Sequence, residues 1–360
     1  MAKRTIIPFG PQHPVLPEPI HLDLVLEDEK VVEAIPSIGY VHRGLEKLVE
    51  KNEWPEMVYV IERVCGICSF GHGWGYSKCI EGNLGIEVPP RAEYLRTIWH
   101  ELSRIHSHLL WLGLLADGFG FESLFMHTWR LRETVLDIFE ETTGGRVIFS
   151  VCKVGGLRKD VSNEKLGEIV DILRGMENEL EELTDVFLED VSVLNRLVGV
   201  GILTKDEAFE LGAVGPVARG SGLASDVRLD GHGAYGDLDF KPCVEEAGDC
   251  YARCKVRIRE LFQSIDLIAQ CVSKMPDGDI AVEIKGKHPA GEFVGRMEQP
   301  RGEAYYYSKG SGQKFLERIR VRTPTNANIP ALVKTLAGSD LADVPMLVLT
   351  IDPCISCTER

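Results

Sequence analysis

The chain is short of positive charge. Its 40 lysines and arginines face 55 aspartates and glutamates over 360 residues, a formal net charge of −15. No basic cluster breaks that excess, and phosphate contacts need a basic face, so nucleic acid is excluded as a partner. Long apolar runs are missing too. The longest, Leu109 to Leu115, falls well below the roughly 18 to 20 residues of a membrane helix. The expectation is a protein that is soluble, or held at a membrane only through partners. The opening Met1-Ala2-Lys3-Arg4-Thr5 runs into Pro8, Gly10, Pro11 and Pro14. That leaves no apolar core for a signal peptide, so none is expected. A glycine-rich phosphate loop ending in Lys-Ser or Lys-Thr is absent, and no Ser-His-Asp arrangement stands out, which removes the common nucleotide and serine-hydrolase readings. There is no repeat, low-complexity tract or linker, so a single domain over 1–360 is the simplest organisation.

What is present is apolar mass in helical spacing. Hydrophobic residues make up 44% of the chain, ample for a large core. His21 to Leu26 alternates, Glu27 to Lys30 is a polar turn, and Val31 to Ala34 returns, which predicts a hairpin in a β-rich part at about 1–40. After Pro89-Pro90, Leu95, Ile98, Leu102, Ile105, Leu109 and Leu112 recur at three- and four-residue steps and predict a long helix. A second helix is expected from about Ser123 to Glu141, stopped by Gly144-Gly145. A third is expected from the Ser162-Asn163 cap towards Leu197, and a fourth from about Val244 to Met275. Residues 280–322 read as strands and turns. The apolar run Met346 to Ile351 delivers the end of the chain from the interior. The fold class is therefore mainly α with small β elements (α+β), a long-helix bundle with its core at about 90–275.

Cysteine is plentiful. Ten cysteines without an expected secretion signal imply a reducing compartment, where paired cysteines serve metal or redox chemistry rather than disulfides. Two pairs stand out, Cys65-Gly66-Ile67-Cys68 and Cys354-Ile355-Ser356-Cys357, 286 residues apart from Cys68 to Cys354. Four soft sulfurs suit zinc, an iron–sulfur cluster or nickel. The separation excludes a local zinc knuckle, which places its pairs about 15 to 20 residues apart. On spacing alone, a long-range zinc site and a redox metal are equally compatible. The other six, Cys79, Cys152, Cys243, Cys250, Cys254 and Cys271, read as core residues.

The flanks of the two pairs carry more. Arg63-Val64-Cys65-Gly66-Ile67-Cys68-Ser69-Phe70-Gly71-His72 and Asp352-Pro353-Cys354-Ile355-Ser356-Cys357 resemble the two signature motifs of NiFe-hydrogenase large subunits. Three further segments resemble the membrane-associated, energy-converting (Ech-type) branch and its relative, the 49 kDa quinone-site subunit of respiratory complex I. They are His42 to Lys47, Gly215 to Gly222 with Asp226 and Arg228, and Gln299 to Glu303. The resemblance spans the whole chain, with a C-terminal metal-ligand segment at about 345–360.

That resemblance implies roles. Cys65 and Cys354 would be terminal nickel ligands, and Cys68 and Cys357 would bridge nickel to an iron carrying CO and cyanide. His72 would hydrogen-bond a bridging thiolate. Arg301 would hang over the open metal position, paired with Asp352. Glu18 would be the proton-gate carboxylate. Glu46 matches a glutamate that binds magnesium or a similar ion in many relatives, but those often end in histidine where this chain has Arg360. The ending three residues after Cys357 resembles the processed form of such subunits. His42 falls where the complex I relatives carry a quinone-site histidine.

The implied function is the catalytic subunit of an energy-converting hydrogenase, interconverting H2 with protons and electrons and linked to ferredoxin. With no further cysteine pattern for clusters, electrons would arrive through a small subunit carrying an iron–sulfur cluster. Further iron–sulfur and membrane subunits would couple the step to ion translocation at the cytoplasmic side of the cell membrane. The alternatives are a complex I-like quinone-site or coupling module without a metal, and a structural zinc protein.

Overall fold

A computed structural model describes residues 4–360 of the chain. It opens with an antiparallel sheet of β1 (Arg4–Phe9), β2 (His21–Glu27) and β3 (Lys30–Ser37), in that order. The β2–β3 pair is the expected hairpin, and Leu22, Leu24 and Leu26 alternate into the core. β1 is an addition, pairing from Arg4 opposite Glu27 to Phe9 opposite Leu22. It is a mostly exposed edge strand carrying Pro8, so it lacks the alternation that marks a strand in sequence.

The expected long helix is Pro90–Gly118, 29 residues. All six residues of its predicted stripe are buried, but so are its polar faces, including Arg96, His100, Glu101, Arg104, His106 and His108. It is a central helix packed against Glu122–Thr143 and Cys250–Ser273. Gly144 stops Glu122–Thr143 at φ 88°, a left-handed conformation glycine adopts freely.

Two helix expectations need correction. The stretch from Ser162 towards Leu197 is three helices, Asn163–Gly175, Glu177–Glu189 and Val191–Leu197. Ser162 caps the first as expected. Asp190 ends the run because its backbone is extended and its carboxylate accepts the N–H groups of Ser192 and Val193, starting a new helix. The fourth helix begins at Cys250 rather than Val244, since the Asp249 carboxylate caps it through the N–H of Ala252 at 2.7 Å.

β4 (Cys152–Lys153) and β5 (Gly156–Leu157) form a small ladder that Ala281 joins by one bridge. The alternating stretch 281–285 is otherwise not a strand. The larger sheet is β6 (Ala290–Gln299), β7 (Gly302–Ser311) and β8 (Leu316–Arg322), in that order. Its β6–β7 turn is Pro300-Arg301, between the pair Gln299 and Gly302. A Cβ on Gly215 (φ 65°) would lie 2.3 Å from the carbonyl oxygen of Arg301, and one on Gly302 (φ 127°) 2.6 Å from the nitrogen of Gly215. Only paired glycines let the Gly215–Arg219 helix seat against this turn.

The helix Ser69–Leu84 was not legible in sequence because glycines at 71, 73, 75 and 82 lower its intrinsic propensity. Packing on β6 and β7 explains those at 71, 75 and 82, and the Glu62 side chain closes on Gly73. The apolar run near the end is the helix Val344–Thr350, and Ile355–Glu359 closes the chain. Among the described residues, no helix is long and apolar enough to cross a membrane.

Candidate metal centre

Each cysteine pair stands where the chain enters a helix. Cys68 caps Ser69–Leu84 and Cys354 caps Ile355–Glu359. In each pair the first sulfur accepts backbone N–H bonds from its own loop: Ile67 and Cys68 donate to Cys65 at 3.3 and 3.4 Å, and Cys357 donates to Cys354 at 3.4 Å. These loops aim all four sulfurs inward.

There they meet across the 286-residue gap. Cys68 Sγ lies 3.4 Å from Cys357 Sγ, and Cys354 Sγ lies 3.4 Å from Cys65 Sγ. The sulfurs of Cys65, Cys68 and Cys357 are mutually within 4.8 Å. All four residues are buried, with Val64, Leu45 and Ile67 around them. Hydrogen bonds from Cys354, Cys357 and Cys65 hold the Cys68 thiol well below its ordinary range. Burial, reinforced by bonds to Cys354, Cys65 and Cys68, pushes Cys357 well above it. Cys68 thus gives up its proton readily, while Cys357 yields its own only to a cation that replaces it. The donor set, four soft thiols converging in a dry pocket, fits a thiophilic transition metal.

Arg301 and Asp352 pair beside the sulfurs. Arg301 Nη2 is 2.7 Å from Asp352 Oδ1, and Nε donates to the Asp352 carbonyl at 2.9 Å. Burial opposes the guanidinium charge, but Asp352 and the charges of Cys354, Cys65 and Cys68 outweigh it and keep the group protonated. Asp352 sits at φ 56°, a conformation aspartate tolerates better than most residues. His72 Nε2 lies 3.3 Å from Cys357 Sγ.

The remaining sites fall as follows. Glu18 accepts from the backbone N–H of Ser356 at 2.8 Å and from its hydroxyl, so its contacts run to the residue between Cys354 and Cys357. Glu46 is engaged by arginines. It accepts from Arg360 Nε at 2.8 Å, Arg320 Nη1 at 3.1 Å and the Val321 N–H at 3.0 Å, and pairs with Arg318 at 3.5 Å. Burial would raise the Glu46 carboxyl, but Arg360, Val321 and Arg320 hold it below its usual range. A carboxylate ringed by guanidiniums does not fit a magnesium ion. His42 Nδ1 lies 2.6 Å from the carbonyl oxygen of Glu359, beside the last helix.

Several residues at the site were assigned no role from the sequence. Arg43 staples the two motif segments, donating to the carbonyls of Arg63 and Val64 (both 2.8 Å) and of Ser356 (2.9 Å). Thr325 Oγ1 accepts from the N–H of Cys354 at 3.0 Å, and Thr323 Oγ1 donates to the carbonyl of Cys357 at 3.1 Å. His106 is fully buried, and its pKa falls to about 3 through burial and the charges of Arg132 and Arg301. Spacing cannot reveal contacts that only the fold makes between separate segments.

The fold and the four-sulfur cluster define a class, that of large subunits of nickel-dependent hydrogenases together with their complex I relatives. Residues 43–116 match the family described as "Nickel-dependent hydrogenase", and residues 118–287 and 282–360 match "Respiratory-chain NADH dehydrogenase, 49 Kd subunit". The chain belongs to this NiFe-hydrogenase large-subunit and complex I 49 kDa family, with membrane-associated, group 4 hydrogenase subunits among its relatives. It is 40% identical to the "Membrane-bound hydrogenase subunit alpha" of Pyrococcus furiosus, over 98% of this chain and 87% of that protein. It is also 40% identical to the "Carbon monoxide-induced hydrogenase" of Rhodospirillum rubrum, over 98% of this chain and 99% of that protein. Among solved structures it superposes with a TM-score of 0.94 and 31% identity on a chain of the membrane-bound sulfane sulfur reductase, an archaeal respiratory membrane complex. That match covers 99% of this chain and 98% of the other. The expected α+β class and family are thus borne out, and the relatives are subunits of membrane complexes.

Proposed function

We propose that this chain is the catalytic large subunit of an energy-converting NiFe hydrogenase that interconverts H2 with protons and electrons. The observation that carries this reading is the convergence of four buried cysteine sulfurs from opposite ends of the chain, with the Arg301–Asp352 pair beside them. Cys65 and Cys354 would hold nickel. Cys68 and Cys357 would bridge it to an iron bearing CO and cyanide. The spatial pairing of Cys68 with Cys357 and of Cys65 with Cys354 supports that division. When bound, such a centre supplies the redox chemistry of heterolytic dihydrogen cleavage.

The protein's own residues do the rest. Arg301 presents a fixed positive charge in a water-poor pocket, where it stabilises negative charge more strongly than it would in water. Asp352 orients it through two hydrogen bonds. His72 contacts the Cys357 sulfur, and a hydrogen bond to a ligand sulfur tunes the metal it holds. Glu18, half-buried and hydrogen-bonded to Ser356 between the two ligand cysteines, would be the proton gate. At the second site, the Arg360 guanidinium pairs with Glu46 and would take the place of a divalent ion. Electrons would pass through a small subunit with an iron–sulfur cluster, with ferredoxin as the outer partner. Further iron–sulfur and membrane subunits would hold the chain at the cytoplasmic side of the membrane.

A metal-free, quinone-site coupling role would leave four converging thiols and a buried arginine without use. Metal analysis together with infrared spectroscopy of the purified complex separates the readings. The hydrogenase reading expects nickel with iron and bands from iron-bound CO and cyanide. Zinc alone, or no metal, would sink it. Cys68→Ser should abolish hydrogen turnover, and full activity in that variant would refute the assigned bridge.

A further inference from the structure

Behind His72 lies a buried relay that the catalytic reading does not use. The Tyr306 hydroxyl is 2.8 Å from His72 Nδ1, and Gln299 Nε2 is 3.3 Å from the same hydroxyl. Residues 72, 299 and 306 are each at most 1% exposed. Two glycines admit the relay. A Cβ on Gly71 would lie 2.2 Å from Gln299 Oε1, and one on Gly75 would lie 2.3 Å from Tyr306 Cε2. Real side chains do not tolerate such approaches, so residues 71 and 75, one turn apart on one face of the Ser69–Leu84 helix, must lack side chains for β6 and β7 to bring Gln299 and Tyr306 up to His72.

The polarity of the relay follows from its ends. A ligand thiolate carries no proton and can only accept, so a contact with His72 Nε2 requires Nε2–H. A neutral imidazole then has a bare Nδ1, which must accept. The Tyr306 hydroxyl, kept protonated by burial, is the donor within reach. Its own oxygen accepts from the Gln299 amide. Every proton in the chain then points towards the sulfur.

We propose that Tyr306, backed by Gln299, is a positioning residue that holds His72 in the tautomer donating Nε2–H to the sulfur of Cys357. This rests on the nickel–iron reading only in making that sulfur a metal ligand. The test is Tyr306→Phe in the purified complex, with Gln299→Leu as a second variant should the first load metal poorly. Nitrogen-15 NMR of histidine-labelled protein, with His72→Gln for assignment, should find His72 protonated at Nε2 in the wild type and a mixture of tautomers in Tyr306→Phe. With nickel and iron content unchanged, the iron–CO and iron–cyanide bands should shift as the sulfur loses its oriented donor. An unchanged tautomer in both variants overturns the proposal, as do unshifted bands in fully loaded Tyr306→Phe. Absence of those bands from the wild type would instead refute the nickel–iron reading, while the tautomer measurement still decides the relay.

Discussion

Replacing Arg219 with methionine tests whether the buried ion cluster beneath the site holds the site in place. Arg219 is fully buried and reaches three carboxylates: Glu298 at 2.7 Å, Glu260 at 2.8 Å and Asp226 at 3.1 Å. Arg228 pairs with Asp226 and Glu101, and Arg104 with Glu101 and Glu260. Four carboxylates thus face three guanidiniums, and below about pH 7 Glu298, pushed up to about 7 by burial and by the Asp226 charge against the pull of Arg219, holds the balancing proton. Arg104 also donates to the backbone carbonyls of Glu298 and Gln299, so the cluster grips the end of β6 just before the Arg301 turn. Arg219→Met leaves three ionised carboxylates and the protonated Glu298 against two guanidiniums, and breaking a buried pair in this way costs about 3–5 kcal/mol. With an unfolding entropy of about 2.1 cal/mol/K per residue, that lowers the melting temperature by about 4–7 °C. Asp226→Asn in the same chain removes one ionised, uncompensated carboxylate and should recover about 0.5–3 kcal/mol of the loss. Thermal unfolding of the two single variants, the double variant and the wild type measures both numbers. A wild-type melting temperature in Arg219→Met, or a double variant less stable than Arg219→Met alone, would refute the picture of a charge-balanced cluster.

Three further outcomes follow from the same geometry. The raised Glu298 carboxyl, against 4.5 when unfolded, contributes stability that is fully present below about pH 4.5 and is lost as pH rises through about 7. Glu298→Gln should flatten that decline, and melting curves at pH 5 and pH 8 that keep the wild-type difference would contradict it. Gly75→Ala gains about 1 kcal/mol of helix propensity but forces a methyl against the Tyr306 ring, which costs about 1–3 kcal/mol. It should therefore be destabilised, and a more stable variant would show that Tyr306 is not pinned there. Glu46 holds Arg360 in a largely buried, charge-assisted bond, so Arg360→Ala should lose about 1.5–3 kcal/mol, while magnesium or EDTA should leave the wild-type melting temperature unchanged. A magnesium-dependent rise in the wild type would restore the metal at Glu46.

Much of this protein is written locally. The stripe from Leu95 to Leu112 determines a helix because apolar residues at three- and four-residue steps share one face wherever the helix ends up. Ser162 determines a cap, and the β2–β3 alternation determines a hairpin, for similarly local reasons. The two cysteine motifs, with Asp352 and His72 at set distances from the sulfurs, are local too. Only the tertiary structure decided which residues serve them. Arg43 meets Ser356, Tyr306 meets His72 and Arg360 meets Glu46 across gaps of hundreds of residues, and no periodicity encodes such a meeting. The same holds for the glycine-rich helix Ser69–Leu84. By propensity it is a poor helix, and it stands because β6 and β7 need its bare face to come close. Sequence determined that four thiols are available for a metal, and the fold decided that they share one dry pocket with an arginine, a carboxylate and a histidine, because burial and chain topology act on the whole molecule at once.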